Sequence, residues 1–174
     1  MSTIQRINFE LLSDTLKLQV RDFPLADRTI ADPLNTTAFV DGEWFILDAN
    51  RKAARAASIA GAGNHATQTS YPIWAERGRS DVLANADRKV PLIFMGTFEA
   101  DTRIFDAALV VSGGAAITTV GQPLKVSSIS IGGKIVTGLV GAVAADGEPI
   151  VGRVTRLPAS NGGKLRFLGG VSSI

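Results

Sequence analysis

The sequence predicts an all-β protein, a small β-barrel or sandwich with an extended N-terminal arm and long loops. Its last fifty residues, 121–170, alternate apolar and polar side chains in short runs that glycine-rich turns separate. The 18 glycines suit many turns, and the 6% aromatic content leaves a core of mainly aliphatic side chains. The predicted strands of this region are 123–127, 129–131, 134–140, 150–157 and 164–168.

The alternation in this region changes phase at Ser127 and Ser128. Leu124 and Val126 share one face of a strand, so Ile129 and Ile131 would point to the other face if the strand stayed regular. A β-bulge or a barrel corner would restore the phase. We therefore expect an irregularity at this point.

The 174 residues suit one domain with an arm or a long insertion. We interpret residues 1–36 as an N-terminal arm and residues 37–174 as the β-barrel or sandwich domain. A polar, poorly periodic stretch at about 58–90 predicts a loop-rich excursion from that domain.

The predicted arm contains one strand and then an extended connector. Leu16, Leu18 and Val20 alternate with polar residues, as they do in a strand, and Pro24 and Pro33 discourage regular pairing farther on. An alternative is that this alternating stretch is simply the first strand of the barrel itself.

The domain itself begins with a turn and a strand. Asp41 and Gly42 form a turn signal, and Trp44–Leu47 is apolar on both faces, which predicts a strand covered on each side. Residues 51–57 fit a helix by propensity, but a returning hairpin strand suits the topology better. Tyr71–Trp74 is a possible short strand.

Two further strands are predicted at 90–98 and 104–111. Alternation across most of the strands predicts a single core. Its lining residues are Trp44, Ile46, Ile93, Leu124, Val126, Leu139, Val154 and Phe167.

Several short patterns resemble parts of catalytic or cofactor-binding sites, and we favour none of them as a functional site. Residues 61–66 match a dinucleotide-binding glycine pattern, but Pro72 falls where the helix of that motif should run. His65 is the single histidine, no G-x-S-x-G elbow is present, and the chain contains no cysteine. We predict no catalytic residue, no cofactor and no metal site, and a structural use for the acids Glu99, Asp101 and Asp106.

Charge and hydropathy favour a soluble protein made in a cytoplasm. The net charge of +2 is too balanced for a dedicated nucleic-acid binder. The first residues lack the apolar segment of a signal peptide, and no apolar run approaches the ~20 residues of a membrane helix.

Two segments together resemble a known family. The first is 40–50, VDGEWFILDAN; the second runs from 96–106, GTFEADTRIFD, through 121–126, GQPLKV, to 150–154, IVGRV. This order is similar to structural proteins of tailed bacteriophages, in particular head decoration (cement) proteins built on a small β-barrel. Tail-tube proteins and host-surface or carbohydrate-binding modules of virions share some of this character, and a hydrolase is a more distant alternative.

The resemblance implies a non-enzymatic virion protein, made in the host bacterial cytoplasm and placed on the capsid exterior. It would bridge subunits of the major capsid protein and act as a homo-oligomer, a dimer or a trimer, without contacting nucleic acid or membrane. Arm residues would pair with a neighbour's sheet edge, and basic residues would meet an acidic protein lattice. The partner-binding residues predicted on this basis are Leu16, Leu18, Val20, Phe23, Arg77 and Arg79.

Overall fold

The computed structural model describes residues 9–12, 18–31, 38–55, 69–74, 89–107, 115–142, 149–160 and 162–171. The described residues form ten β-strands and one short 3-10 helix, Arg28–Ala31, so the predicted all-β fold is confirmed. The strands are β1 (Phe9–Leu11), β2 (Gln19–Pro24), β3 (Trp44–Leu47), β4 (Ala53–Arg55), β5 (Tyr71–Pro72), β6 (Lys89–Thr102), β7 (Pro123–Ile131), β8 (Lys134–Gly141), β9 (Gly152–Arg156) and β10 (Leu165–Val171).

The strands form two antiparallel sheets. The larger sheet has the order β1-β6-β10-β9-β7-β8, with β2 also paired to β6, and the smaller has the order β4-β3-β5. The larger sheet curls, because Phe105, just past the end of β6, bridges Leu139 on β8. The result is a curled half-barrel.

The long strand β6 organises both sheets. Its first half pairs with β2, and its second half pairs with β1 and with β10. A further bridge joins Leu92 of β6 to Ile73, just past the end of β5. Between the two halves lies Gly96, whose φ of 114° is readily adopted only by glycine.

A β-bulge lets β6 supply one core from both of its halves. Strand β2 pairs with Ile93 and then with Met95, which leaves Phe94 unmatched. Ile93 faces the largest core before the bulge, and Phe98 and Ala100 face the same core after it. Without the extra residue, the period of two would turn one half of the strand away.

The first core contains all eight predicted core residues, so that prediction is confirmed. Strand β3 contributes Trp44 and Ile46 to it, and the larger sheet contributes most of the rest. Its buried members are Phe9, Trp44, Ile46, Ile93, Phe98, Ala100, Ile117, Leu124, Val126, Leu139, Val151, Val154, Leu165 and Phe167.

A second core lies on the opposite face of β3, so the prediction of a single core is wrong. Phe45 points into this second core while its neighbours Trp44 and Ile46 point into the first, and all three side chains are at most 2% exposed. The predicted covering of this strand on both sides is thereby confirmed. The second core consists of Phe23, Leu25, Ile30, Phe45, Ala53, Ile73, Val90 and Leu92.

The bulge expected at Ser127 and Ser128 is absent. Pairing between β7 and β8 runs without a register shift from Leu124 to Ile131, and the hairpin closes through Gly132 and Gly133, both at positive φ. Ile129 does point away from the first core, and it packs there in a third cluster with Ile104, Val136 and Val140. The hairpin therefore places apolar side chains on both faces, in the first core on one side and in the third cluster on the other.

Other local predictions have mixed outcomes. Gly42 adopts a φ of 83° in the predicted turn, and strands β4 and β5 form where a return strand and a short strand were expected. The strand predicted at 104–111 is wrong over 104–107, which form only a single bridge at Phe105, because Ile104 turns into the third cluster. Residues 108–111 lie outside the described residues.

The described part of the predicted arm lies on the body of the protein. Phe9 belongs to the first core, and Phe23, Leu25 and Ile30 belong to the second. Strands β1 and β2 run antiparallel to β6 along its length. This segment therefore contributes directly to the packing of residues 37–174.

We predict that Gly138→Ala lowers the free energy of unfolding by about 1–3 kcal/mol, the usual cost of overpacking a core. A Cβ at position 138 would lie 2.7 Å from the carbonyl oxygen of Ile104 and would collide with the Ile129 side chain. Gly170→Ala is the matched control, because its Cβ would meet only the Thr97 hydroxyl, at 4.0 Å. Urea unfolding of both variants tests this, and equal stability of the two would contradict it.

Candidate functional site

The predicted partner-binding residues do not form one exposed set in the described part of the chain. Leu16, Arg77 and Arg79 lie outside the described residues. Leu18 and Val20 are half-buried against the first core, and Phe23 is buried in the second core.

The strand pairing predicted for the arm is made within the chain. Strand β2 forms its ladder with β6, with Val20 opposite Ile93 and Phe23 opposite Val90. The side chains that would have been costly to expose on a free tail are instead covered by the chain's own cores. In this structure, the apolar residues of β2 are structural, and only its outward side chains are available to a partner.

An aromatic stack borders the exposed side of β2. The guanidinium carbon of Arg21 lies 5.1 Å from the centre of the Phe94 ring, a cation–π geometry. The Tyr71 ring stacks on Phe94 with a centroid distance of 5.2 Å, and burial raises the pKa of the Tyr71 hydroxyl. Trp74 is half-buried against the first core. Phe94 thus covers one face of the Tyr71 ring.

A buried ion pair of the smaller sheet also bonds to the larger sheet. The Glu43 side chain, just before β3, is fully buried, and its Oε1 accepts a hydrogen bond from Arg55 Nε at 2.6 Å. Arg55 Nη2 approaches Oε2 at 3.3 Å, which makes the contact two-pronged. Glu43 Oε1 also accepts from the Thr137 backbone N–H at 3.1 Å, and Oε2 accepts from the Val40 N–H at 3.2 Å. We call these four residues the Glu43 node.

The position of Thr137 explains the importance of the node. Alternate N–H groups of an antiparallel strand point away from its partner, and those of Thr137 and Leu139 point away from β7. The Leu139 N–H is taken by the Ile104 carbonyl, and the Thr137 N–H is taken by Glu43. Burial raises the pKa of the Glu43 carboxyl, because the cost of desolvation outweighs the stabilisation by Arg55 and the two backbone N–H groups.

The outward face of the larger sheet carries a row of charges. Glu10 on β1 is opposite Asp101 on β6, Asp101 is opposite Arg166 on β10, and Arg166 is opposite Arg156 on β9. A second bulge, which leaves Thr155 unmatched, turns Arg156 into line with the others. We call these four residues the charged row.

Ion pairs fix the charged row. Arg166 donates two hydrogen bonds to Asp101, at 2.8 Å and 3.1 Å, and Arg156 donates a third at 3.3 Å. At the end of the row, Lys164 pairs with Glu10. The guanidinium of Arg166 holds the pKa of Asp101 below its ordinary value, and the bond to Asp101 raises the pKa of Arg166.

The remaining candidates have structural partners or lie outside the described residues. Glu99 accepts a hydrogen bond from the Thr155 hydroxyl, and His65 lies outside the described residues. Among the described residues, no group of three or more His, Cys, Asp or Glu is arranged to hold a metal ion. Every buried side-chain nitrogen and oxygen in that part of the chain has a hydrogen-bond partner.

Comparison with known proteins found no relative, because no family model, curated protein or solved structure matches this chain. Within the described ranges, no helix has the length and apolar character needed to cross a membrane.

Sequence reasoning missed both the Glu43 node and the charged row. The signal for the node was a lone acid directly before an apolar strand, with an arginine on the returning strand: Glu43 and Arg55. The charged row had no signal, because its members come from four strands and a bulge decides whether Arg156 belongs to it.

We predict that Glu43→Ala lowers the free energy of unfolding by about 3–5 kcal/mol, because it leaves Arg55 without its buried partner. Glu10→Ala, which removes an exposed ion pair with Lys164, is the matched control and should cost no more than ~1 kcal/mol. Chemical denaturation measures both. Similar losses for the two variants would contradict a buried, stabilising ion pair between Glu43 and Arg55.

We predict that Asp101 makes stability depend on pH in acid. Its pKa is lowered in the folded chain, so its ionised form contributes stability above about pH 4, and this contribution is lost as the pH falls through the lowered folded pKa. Asp101→Asn should be about 1–3 kcal/mol less stable than the wild type at pH 7, the usual worth of a charge-assisted hydrogen bond. Urea unfolding from pH 2 to pH 7 should show that gap closing in acid, and a constant gap would contradict the assignment.

Proposed function

We propose that this protein is a non-enzymatic structural protein of a bacteriophage virion. It binds the outside of the capsid lattice as a homo-oligomer and stabilises the lattice by bridging major capsid protein subunits. The resemblance of residues 40–50 and of the segments between 96 and 154 to head decoration proteins is the reason for naming this lattice. The geometry that supports the proposal is the outermost position of β2.

Strand β2 lies at the margin of the larger sheet. In the described part of the chain its ladder partner is β6 alone, and Leu25, just past its end, bridges Ala53. The side chains of Gln19, Arg21 and Asp22 are exposed. An outer strand of this kind can accept an extended segment of another protein through backbone hydrogen bonds, with alternate side chains giving specificity.

A lattice-bridging protein has to be stiff, because reinforcement comes from added contact area rather than from chemistry. Strand β3 is covered on both faces by two cores, and the β7–β8 hairpin is covered by the first and third clusters. Packed interiors of this kind have low compressibility and transmit strain. The exposed margin at β2 is therefore mounted on a rigid body.

Under this proposal, the N-terminal segment stays in its own sheet when the protein binds the capsid. A segment that leaves its own sheet would take Phe9 and Phe23 out of their cores. A lattice strand that adds to the margin of β2 requires no such loss. The β2 margin, with Arg21 at its centre, is thus the proposed contact with the capsid.

We predict that Arg21→Glu weakens binding to empty heads assembled from the major capsid protein of the same virus by at least tenfold. The reversed charge would oppose an acidic lattice surface and would also remove the cation–π contact with Phe94. Cosedimentation of purified protein with empty heads measures the affinity. Lys134→Glu, at the tip of the β7–β8 hairpin, is the matched charge reversal and should bind as the wild type does.

Two outcomes separate the parts of this proposal. If the wild type fails to bind empty heads, the proposed function is wrong. If the wild type binds and Arg21→Glu binds equally well with an unchanged melting temperature, the lattice contact lies elsewhere than on the β2 margin.

A further inference from the structure

The charged row has an acidic end and a basic end. It begins with the acids Glu10 and Asp101 on β1 and β6, and it ends with the bases Arg166 and Arg156 on β10 and β9. With ~4.8 Å between neighbouring strands, the row spans about 14 Å. The two end residues are well exposed, since the side chain of Glu10 is 48% exposed and that of Arg156 is 56% exposed.

Such a row is complementary to itself. When a second copy lies face to face with the first, about a two-fold axis that runs between β6 and β10 along the strands, β1 of each copy faces β9 of the other. Glu10 then faces the second copy's Arg156, and this contact occurs twice. Asp101 is only 6% exposed and is bound by its own Arg166 and Arg156, so it holds those arginines in place rather than meeting the second copy.

We propose that the outward face of the β1-β6-β10-β9 region is a two-fold interface between two copies of this protein. The inference deepens the proposed function, which includes a homo-oligomer, but its test requires no capsid. The two Glu10–Arg156 contacts fix the register of the two copies, because a shift by one strand would separate both of them.

The same face carries apolar area that the interface would bury. Leu168, on the central strand β10, is 46% exposed and lies opposite Glu99 and Arg153. Leu12, which donates its backbone N–H to the Glu99 carbonyl, is 39% exposed. Apolar side chains flanked by fixed charges are the usual composition of a protein interface centre and its rim.

The size of the face sets the expected strength of association. Four strands and three outward residues along each give a footprint on the order of 300 Å², which is below the ~800 Å² per partner of a standard interface. We therefore expect a weak dimer that forms at high protein concentration and dissociates as salt is added. Copies held side by side on a lattice would be concentrated enough to pair.

The test is a charge-swap experiment on the full chain, measured by sedimentation velocity at low salt. Glu10→Arg and Arg156→Glu should each weaken self-association at least tenfold, because each creates two like-charge contacts across the two-fold axis. A mixture of the two variants should associate again. In the mixed dimer the introduced arginine of one copy faces the introduced glutamate of the other, and the unchanged Arg156 and Glu10 face each other. Lys52→Glu, on the β3–β4 loop away from this face, should associate as the wild type does.

Circular dichroism and the melting temperature show whether each variant is folded. A wild type that stays monomeric at low salt and high concentration overturns the inference. So does a mixture of folded Glu10→Arg and Arg156→Glu that fails to associate. Binding of a monomeric wild type to empty heads would leave the capsid-binding part of the proposed function standing while the dimer fails, and a dimer that binds no heads would show the reverse.

Discussion

The carboxylate of Glu43 is the contact on which the architecture depends most. It belongs to the segment that opens β3, yet one of its oxygens accepts the N–H of Thr137 on β8, in the other sheet. Arg55 supplies the countercharge from β4, so the three elements meet at one buried point. A charge this deeply buried is costly unless it is fully hydrogen-bonded, and here four N–H groups surround it. The node therefore binds the small sheet to β8, while the bridges Ile73–Leu92 and Leu25–Ala53 bind it to β6 and to the end of β2.

The rest of the fold follows from strands that are covered on both faces. Strand β3 separates the first core from the second, and β6 supplies both, with its bulge at Phe94 correcting the phase between its halves. The outer edge of β8 is closed by Glu43 at Thr137, by the 104–106 segment and by Ala115. These contacts occupy the hydrogen-bonding edges of the buried strands. The β2 margin and the charged row remain at the surface, where we propose that the capsid and a second copy bind.

The sequence predicted what depends on local alternation. All eight expected core residues lie in the first core, and the apolar run at Trp44–Leu47 is covered on both sides, because side-chain period and hydropathy are local properties. The phase change at Ser127 was misinterpreted, since a sequence does not show that Ile104 lies on the far face of β7 and covers Ile129. The Glu43–Thr137 bond spans 94 residues, and the charged row spans four strands, so both depend on topology that no short pattern encodes.

Amide hydrogen exchange at Thr137 tests the central claim most directly. Its N–H points away from β7 and is held by a carboxylate 94 positions away in the chain, so its protection reports whether Glu43 joins the two sheets. The account predicts that the Thr137 amide exchanges as slowly as the amides of the β7–β8 ladder, and that Glu43→Ala, which removes the acceptor, speeds exchange at Thr137 more than at Leu139. Rapid exchange of Thr137 in the wild type, at the rate of an exposed amide, would contradict the account.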